Sequence, residues 1–167
     1  MKNLCIASLL SLAGLLYSCS SSRNAFSDGI DGKFEVQDMT NVCQRTGSSD
    51  VDVQCLRVAA ANSTRDKALD LAKKYAVAAV MLRGVSGMHS PVKDPLIPLK
   101  DQDKNAGFIQ TFFNSGDYLK YLDQAEIEPQ EVYKIKGGYR IGVNAKVNHA
   151  RLKQHLVENK IIRKFSL

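Results

Sequence analysis

Apolar and polar positions alternate without a break from residue 139 to residue 147. Tyr139, Ile141, Val143, Ala145 and Val147 take one parity, and Arg140, Gly142, Asn144 and Lys146 the other. A period of two with one apolar parity is the pattern of a half-buried strand. The segment Glu126 to Ile135 predicts its partner, with Ile127, Tyr133 and Ile135 also at odd positions. Residues facing each other across an antiparallel pair share a face, so the loop between them must hold an odd number of residues. Lys136-Gly137-Gly138 fits, with Gly138 in the left-handed position of a three-residue turn. That register sets Ile135 opposite Tyr139, Tyr133 opposite Ile141 and Ile127 opposite Val147. A two-residue Gly-Gly turn would set Ile135 opposite Arg140 and is rejected on that ground.

Upstream, Phe34 to Cys43 and Val51 to Ala61 read as two further strands around Thr46-Gly47-Ser48-Ser49-Asp50. In the second, Val51, Val53 and Cys55 take one face and Leu56 and Val58 the other, which implies a bulge or burial on both faces. Ser63-Thr64-Arg65-Asp66 opens a helix that runs to about Arg83, with Gly84 as its stop. Its stripe is Ala68, Leu71, Ala72, Tyr75, Ala79 and Leu82, and from Tyr75 to Leu82 it is apolar all round, so both sides need cover. Pro91, Pro95 and Pro98 exclude a continuous helix from Gly84 to Gly107, while Leu96, Ile97 and Leu99 predict that the middle of this segment packs back. Phe108, Ile109, Phe112 and Phe113 mark a short helix. Tyr118, Leu119, Tyr121 and Leu122 add a turn and a half, an aromatic patch read first as core. A final helix, about His149 to Asn159, turns Leu152 and Leu156 inward. The order ββααββα predicts an α+β domain, a four-stranded and mostly antiparallel sheet packed against helices.

The N-terminal residues follow a different logic. Met1 and Lys2 give a positive start, and Leu4 to Leu16 is apolar without a charge. That suits a secretory h-region of about 7–15 residues and falls short of the roughly 18 needed to read a spanning helix. Leu16-Tyr17-Ser18-Cys19 resembles the lipobox of bacterial lipoproteins, with Tyr17 departing from the usual small residue at its position. The resemblance implies cleavage before Cys19, a diacylglycerol on its thiol, and fatty acyl chains such as palmitate on its freed amine. Ser20 stands where an Asp would retain a lipoprotein in the inner membrane, which implies the outer membrane, and the polar tether Ser20 to Asn24 lacks the acidic run of some surface-exported lipoproteins, which favours the periplasmic face. The chain then divides into a signal peptide (1–18), a lipidated tether (19–32) and a single α+β domain (33–167).

The formal net charge is +6, with neither a run as long as five consecutive basic residues nor a nucleic-acid motif, so nucleic acid is not expected as a partner. Arg151, Lys153, Lys160, Arg163 and Lys164 gather positive charge in the last helix and tail. Arg151, Lys153 and Lys160 are therefore candidates for contact with anionic headgroups or cell-wall polymer. A solvated helix face, with cations favoured near a helix C-terminus, is the plainer alternative. With Cys5 in the signal and Cys19 lipidated, Cys43 and Cys55 are left as a candidate disulfide or as two separate buried thiols. A hairpin centred on Ser49 would set them directly opposite each other, within bridging distance. His89 sits in the proline-rich loop, and His149 and His155 fall on different faces of the last helix. No metal site and no cofactor are expected from these spacings, and G-x-S-x-G, H-E-x-x-H and phosphate-binding glycine motifs are missing from the sequence.

The run Arg65-Asp66-Lys67-Ala68-Leu69-Asp70-Leu71-Ala72-Lys73-Lys74-Tyr75-Ala76-Val77, followed by Arg83-Gly84-Val85, resembles the helix of the twenty-kilodalton envelope lipoprotein family. It is also similar to the N-terminal domain of the flagellar H-ring protein. Over Val51 to Val147 the resemblance implies this helix between a strand and an antiparallel hairpin, in an envelope assembly or scaffold domain without an active site. The sequence thus points to a non-enzymatic lipoprotein, held on the membrane by its lipid and binding an envelope protein or cell-wall polymer. An envelope enzyme, or a carrier of a small apolar ligand between helix and sheet, is the alternative.

Overall fold

The computed structural model describes residues 35–38, 52–87 and 90–163. In chain order the elements are β1 (Glu35–Asp38), β2 (Val53–Asn62), α1 (Arg65–Ala78), β3 (Val85–Gly87), β4 (Ser90–Lys93), α2 (Leu99–Gln102), α3 (Ala106–Asn114), β5 (Leu122–Ile135), β6 (Gly138–Asn148) and α4 (His149–Glu158). A π-helical turn, Ala79–Arg83, extends α1, and a 3₁₀ segment, Asp117–Tyr121, leads into β5. The main sheet has the order β1-β2-β6-β5 and every pairing in it is antiparallel. This is the expected α+β class, with the small β3–β4 hairpin added in the proline-rich segment.

Alternation along β6 does what its pattern requires. Ile141, Val143, Ala145 and Val147 are buried, and β2 answers them with Ala60, Val58 and Leu56 in an unbroken register. Val53 and Cys55 are also buried, so the mixed faces of β2 reflect burial on both sides and not a bulge. Against the inner face lies α1. Thr64 caps it from an extended backbone, its Oγ1 accepting from the Lys67 amide at 3.3 Å, one residue later than an S-x-x-D start at Ser63 would have it. Ala68, Ala72 and Ala76 are fully buried, Leu71 is only partly so, and everything from Tyr75 to Leu82 is covered.

The end of α1 explains the segment that follows. A helix leaves its last carbonyls without intrahelical donors, and here other parts of the chain supply them. The Leu96 amide donates to Val80 O at 3.2 Å and the Ile97 amide to Met81 O at 2.8 Å. Gln102 Nε2 donates to Leu82 O at 2.6 Å. Ile97 is wholly buried beneath this cap. Leu99, expected to pack inward with it, instead points outward and is 81% exposed, because it opens the short helix that delivers Gln102.

The β5–β6 hairpin departs from the predicted register. Its loop is Lys136-Gly137, with Gly137 at φ +86°, a backbone that glycine adopts without a Cβ clash. Ile135 faces Gly138, Tyr133 faces Arg140, and Val132, not Tyr133, faces Ile141. Ile127 faces Val143 and Leu122 faces Val147. The cause is an irregularity after Ile127, where residues 128–131 stand against Gly142 alone; Pro129 falls there, as proline in a strand does. The bulge reverses the parity of β5, so Val132 turns inward and Tyr133 and Ile135 are left 51% and 41% exposed. It also throws Glu131 across Gly142 to Arg57, whose Nε donates at 3.0 Å and whose Nη2 donates as well. A Cβ on Gly142 would lie 2.8 Å from the Cβ of Glu131. Both partners of this ion pair are about a third exposed, so its contribution is about 0.2–1 kcal/mol.

Two glycines separate packing from conformation. A Cβ on Gly138 would stand 2.8 Å from both Asn62 C and Ser63 Cα, backbone atoms that cannot turn away, whereas one on Gly107 would meet nothing within 4 Å. Gly138→Ala is expected to lower stability by about 1–3 kcal/mol. Gly107→Ala, inside α3, is expected to raise it by roughly 0.5–1 kcal/mol. Urea unfolding of the two variants beside the parent protein measures both.

Candidate functional site

The charged C-terminal face is built on α4. Asp52 O accepts from the amides of His149 (2.9 Å) and Ala150 (3.3 Å), and Asn148 Oδ1 accepts from the Arg151 amide at 3.0 Å, so the helix start is fixed to the beginning of β2. Leu152 and Leu156 are fully buried, which leaves Arg151, Lys153 and Lys160 on the outer side.

These three cations are not equivalent. Arg151 is a tie: its Nη2 donates to Lys120 O at 2.8 Å and its Nη1 lies 3.5 Å from Asp123 Oδ1. The neighbouring Asn148 Nδ2 donates to the other oxygen of Asp123 at 3.2 Å. Lys153 and Lys160 make no ion pair among the described residues. Glu158, the acid closest to them in sequence, accepts from Gln154 Nε2 at 2.8 Å. Burial, and then the charges of Lys153 and Lys93, hold the His149 imidazole below its ordinary pKa, with Asp52 opposing.

Lys160 carries a backbone feature that composition does not reveal. Its φ is +59°, alone among the described non-glycine residues. Its amide donates to Val157 O at 2.9 Å, and the Ile161 amide donates to Leu156 O at 2.9 Å. This pair of bonds is a Schellman motif, whose left-handed position is usually glycine. A lysine occupies it at a conformational cost of about 1–2 kcal/mol.

Beside this face, His155 lies among aromatic rings. Its ring centroid is 5.3 Å from Tyr121, 5.8 Å from Phe112 and 5.9 Å from Phe108. Phe112, Phe113, Tyr118 and Tyr121 are buried, so these aromatics are core at this corner. His155 serves as a half-buried packing ring beside them and His149 as a half-buried base near Lys153, each in its own surroundings. Among the described residues no group of three His, Cys, Asp or Glu side chains is placed to hold a metal ion, and no helix is long and apolar enough to cross a membrane.

Of the remaining candidates, Cys55 is disulfide-bonded. Cys19, Cys43, His89 and Lys164 lie outside the described residues. In the described part of β1, Asp38 pairs with Leu56, whereas a hairpin centred on Ser49 would set Asp38 opposite Ala60. The register of these described residues therefore differs from the one expected.

Stability separates the roles of these cations. Lys160→Gly is expected to raise stability by about 1 kcal/mol. Arg151→Ala is expected to lower it by about 1 kcal/mol through loss of its carbonyl and carboxylate partners. Denaturant midpoints of the two single variants check both signs.

No family model, no curated protein and no solved structure matches this chain.

Proposed function

We propose that this protein is a non-enzymatic envelope lipoprotein, lipidated on Cys19 at the periplasmic face of the outer membrane, whose domain serves as a binding or assembly module. The observation that carries the reading is the order of its first residues. A charged start and an uncharged apolar run end in Leu16-Tyr17-Ser18-Cys19, and Ser20 follows. Lipid on Cys19 accounts for membrane attachment without a spanning helix, since each buried methylene contributes about 0.8 kcal/mol and two or three chains hold where one does not. The similarity of the Arg65 to Val77 run to the envelope lipoprotein helix supports a scaffold over an enzyme. The module's binding face is the C-terminal one, where Lys153 and Lys160 are available to anionic cell-wall polymer or headgroups while Arg151 holds the helix in place.

Cys19→Ala removes the only acceptor for the diacylglycerol. Cells expressing the variant should yield unprocessed or soluble protein that takes up no fatty-acid probe. Labelling equal to that of the parent protein would defeat the lipoprotein reading. The binding face has its own test in the Lys153→Glu, Lys160→Glu pair. These exposed changes should leave the unfolding midpoint near the parent value, while salt-sensitive binding to isolated cell wall or anionic vesicles falls on the order of 10-fold. Equal binding by parent and variant would reduce this face to solvated surface.

A further inference from the structure

We propose that the tip of the β5–β6 hairpin is a membrane-contact surface, with Tyr133 and Ile135 entering the interfacial layer of an anionic bilayer between Lys134 and Lys136. The proposal rests on the lipid-anchored reading and adds to it which end of the domain faces the bilayer. Tyr133 and Ile135 are two residues apart on one face of β5, and both are exposed. Lys134 and Lys136 are exposed beside them. No acid occurs from Val132 to Tyr139, and the nearest, Glu131, is held by Arg57. A tyrosine with an apolar ring and polar hydroxyl, flanked by lysines with apolar stems and charged ends, is suited to the headgroup boundary. The two positive charges favour anionic lipid.

Topology gives the orientation. Glu35 pairs with Ala59, and Ala59 pairs with Gly142, so the start of β1 stands level with Gly142. From there the turn is only about 13 Å away along the strand. Going back along β1 from Asp38 to Glu35, the partners step from Leu56 to Ala59, towards Asn62 and Tyr139. The N-terminal end of β1 therefore points towards the hairpin tip, and Arg140 Nη2 fixes it there by donating to Glu35 Oε2 at 2.9 Å. A chain anchored at Cys19 enters the sheet at this end, which favours its lying nearer the membrane. The start of α4, against Asp52, lies at the other end of β6, roughly 33 Å from the turn. On this orientation the start of α4 stands at the end of the sheet away from the anchoring bilayer, so of the two anionic partners proposed for Lys153 the cell-wall polymer is favoured.

The chain contains no tryptophan, so Tyr133→Trp places a sole indole reporter at the tip, and Leu99→Trp places a control indole beyond the end of α1. Full-length protein carrying either change is reconstituted into vesicles of phosphatidylcholine and phosphatidylglycerol, with or without brominated acyl chains. Folding is checked by circular dichroism and fatty-acid labelling of Cys19 is read on the same sample. The expected result is a blue shift and loss of emission from the tip indole in brominated vesicles, with the control indole unchanged. Adding Lys134→Glu and Lys136→Glu to the tip variant should reverse most of the quenching, as contact falls on the order of 10-fold. Labelled, vesicle-bound protein in which the tip indole is unquenched, or in which the control is quenched equally, overturns the tip as the contact while leaving the anchor standing. An unquenched tip would assign the exposed pair to a protein partner instead. Absence of label on Cys19 overturns the anchor and, with it, the orientation.

Discussion

Ala68, Ala72 and Ala76 are buried to zero exposure where α1 lies on β2 and β6, and their small side chains let the helix backbone approach the sheet closely. Most of the molecule follows from that contact. Close approach lets Leu56, Val58, Ile141 and Val143 pack around the helix with almost no exposed surface, each such side chain contributing about 1.5–3 kcal/mol by leaving water. The same helix also carries Val77, Val80 and Met81 in its second half, all buried, and one sheet face cannot cover every side of it. The segment after Gly84 supplies the other cover. It buries Ile97, and its amides and Gln102 satisfy the carbonyls that the end of α1 leaves open. The proline-rich stretch is thus a consequence of a helix that is apolar all round.

That consequence was legible in sequence because it rests on composition within one element. The alanine stripe, the all-round apolar half, the inward Leu152 and Leu156 and the α+β class are all local patterns. Register is a property of two elements and is lost when either is interrupted. The odd-numbered loop followed correctly from the assumption that β5 alternates without a break, but residues 128–131 break it. Pro129 was the available signal, since a proline inside a strand pattern marks a bulge or an edge. Given the bulge, Val132 becomes the inward residue and a two-residue turn is the consistent solution. Tyr133 and Ile135, counted as core by parity, are the residues that the bulge delivers to the surface.

The basic face shows a different limit. Its charge was legible, because Arg151, Lys153 and Lys160 are simply present near the C-terminus. Their division of labour was not. Arg151 meets Asp123 and a carbonyl of the 3₁₀ segment, both far from it in sequence. The left-handed backbone of Lys160 depends on how α4 ends. A lysine stands there although glycine would cost less.

The β5 edge bears on how the exposed hairpin is used. β5 ends the sheet among the described strands, and an open edge invites pairing with another chain. This one carries Pro129, a bulge, and Lys134 and Lys136 near the turn, devices that oppose strand addition. Backbone pairing is therefore the disfavoured use of this edge, and side-chain contact the favoured one. In the middle of the outer face, Arg57 is matched by Glu131 and Arg140 by Glu35, so little net charge remains there. Near the two ends of β6 stand lysines without an ion pair among the described residues, Lys134 and Lys136 beside exposed apolar groups at the tip, and Lys153 on α4 with Lys160 just beyond it. A bilayer interface offers both an apolar layer and anionic charge, whereas a hydrated anionic polymer offers charge only. The mixed surface at the tip therefore suits lipid and the more basic one around α4 suits the polymer, which agrees with the orientation proposed for an anchored domain.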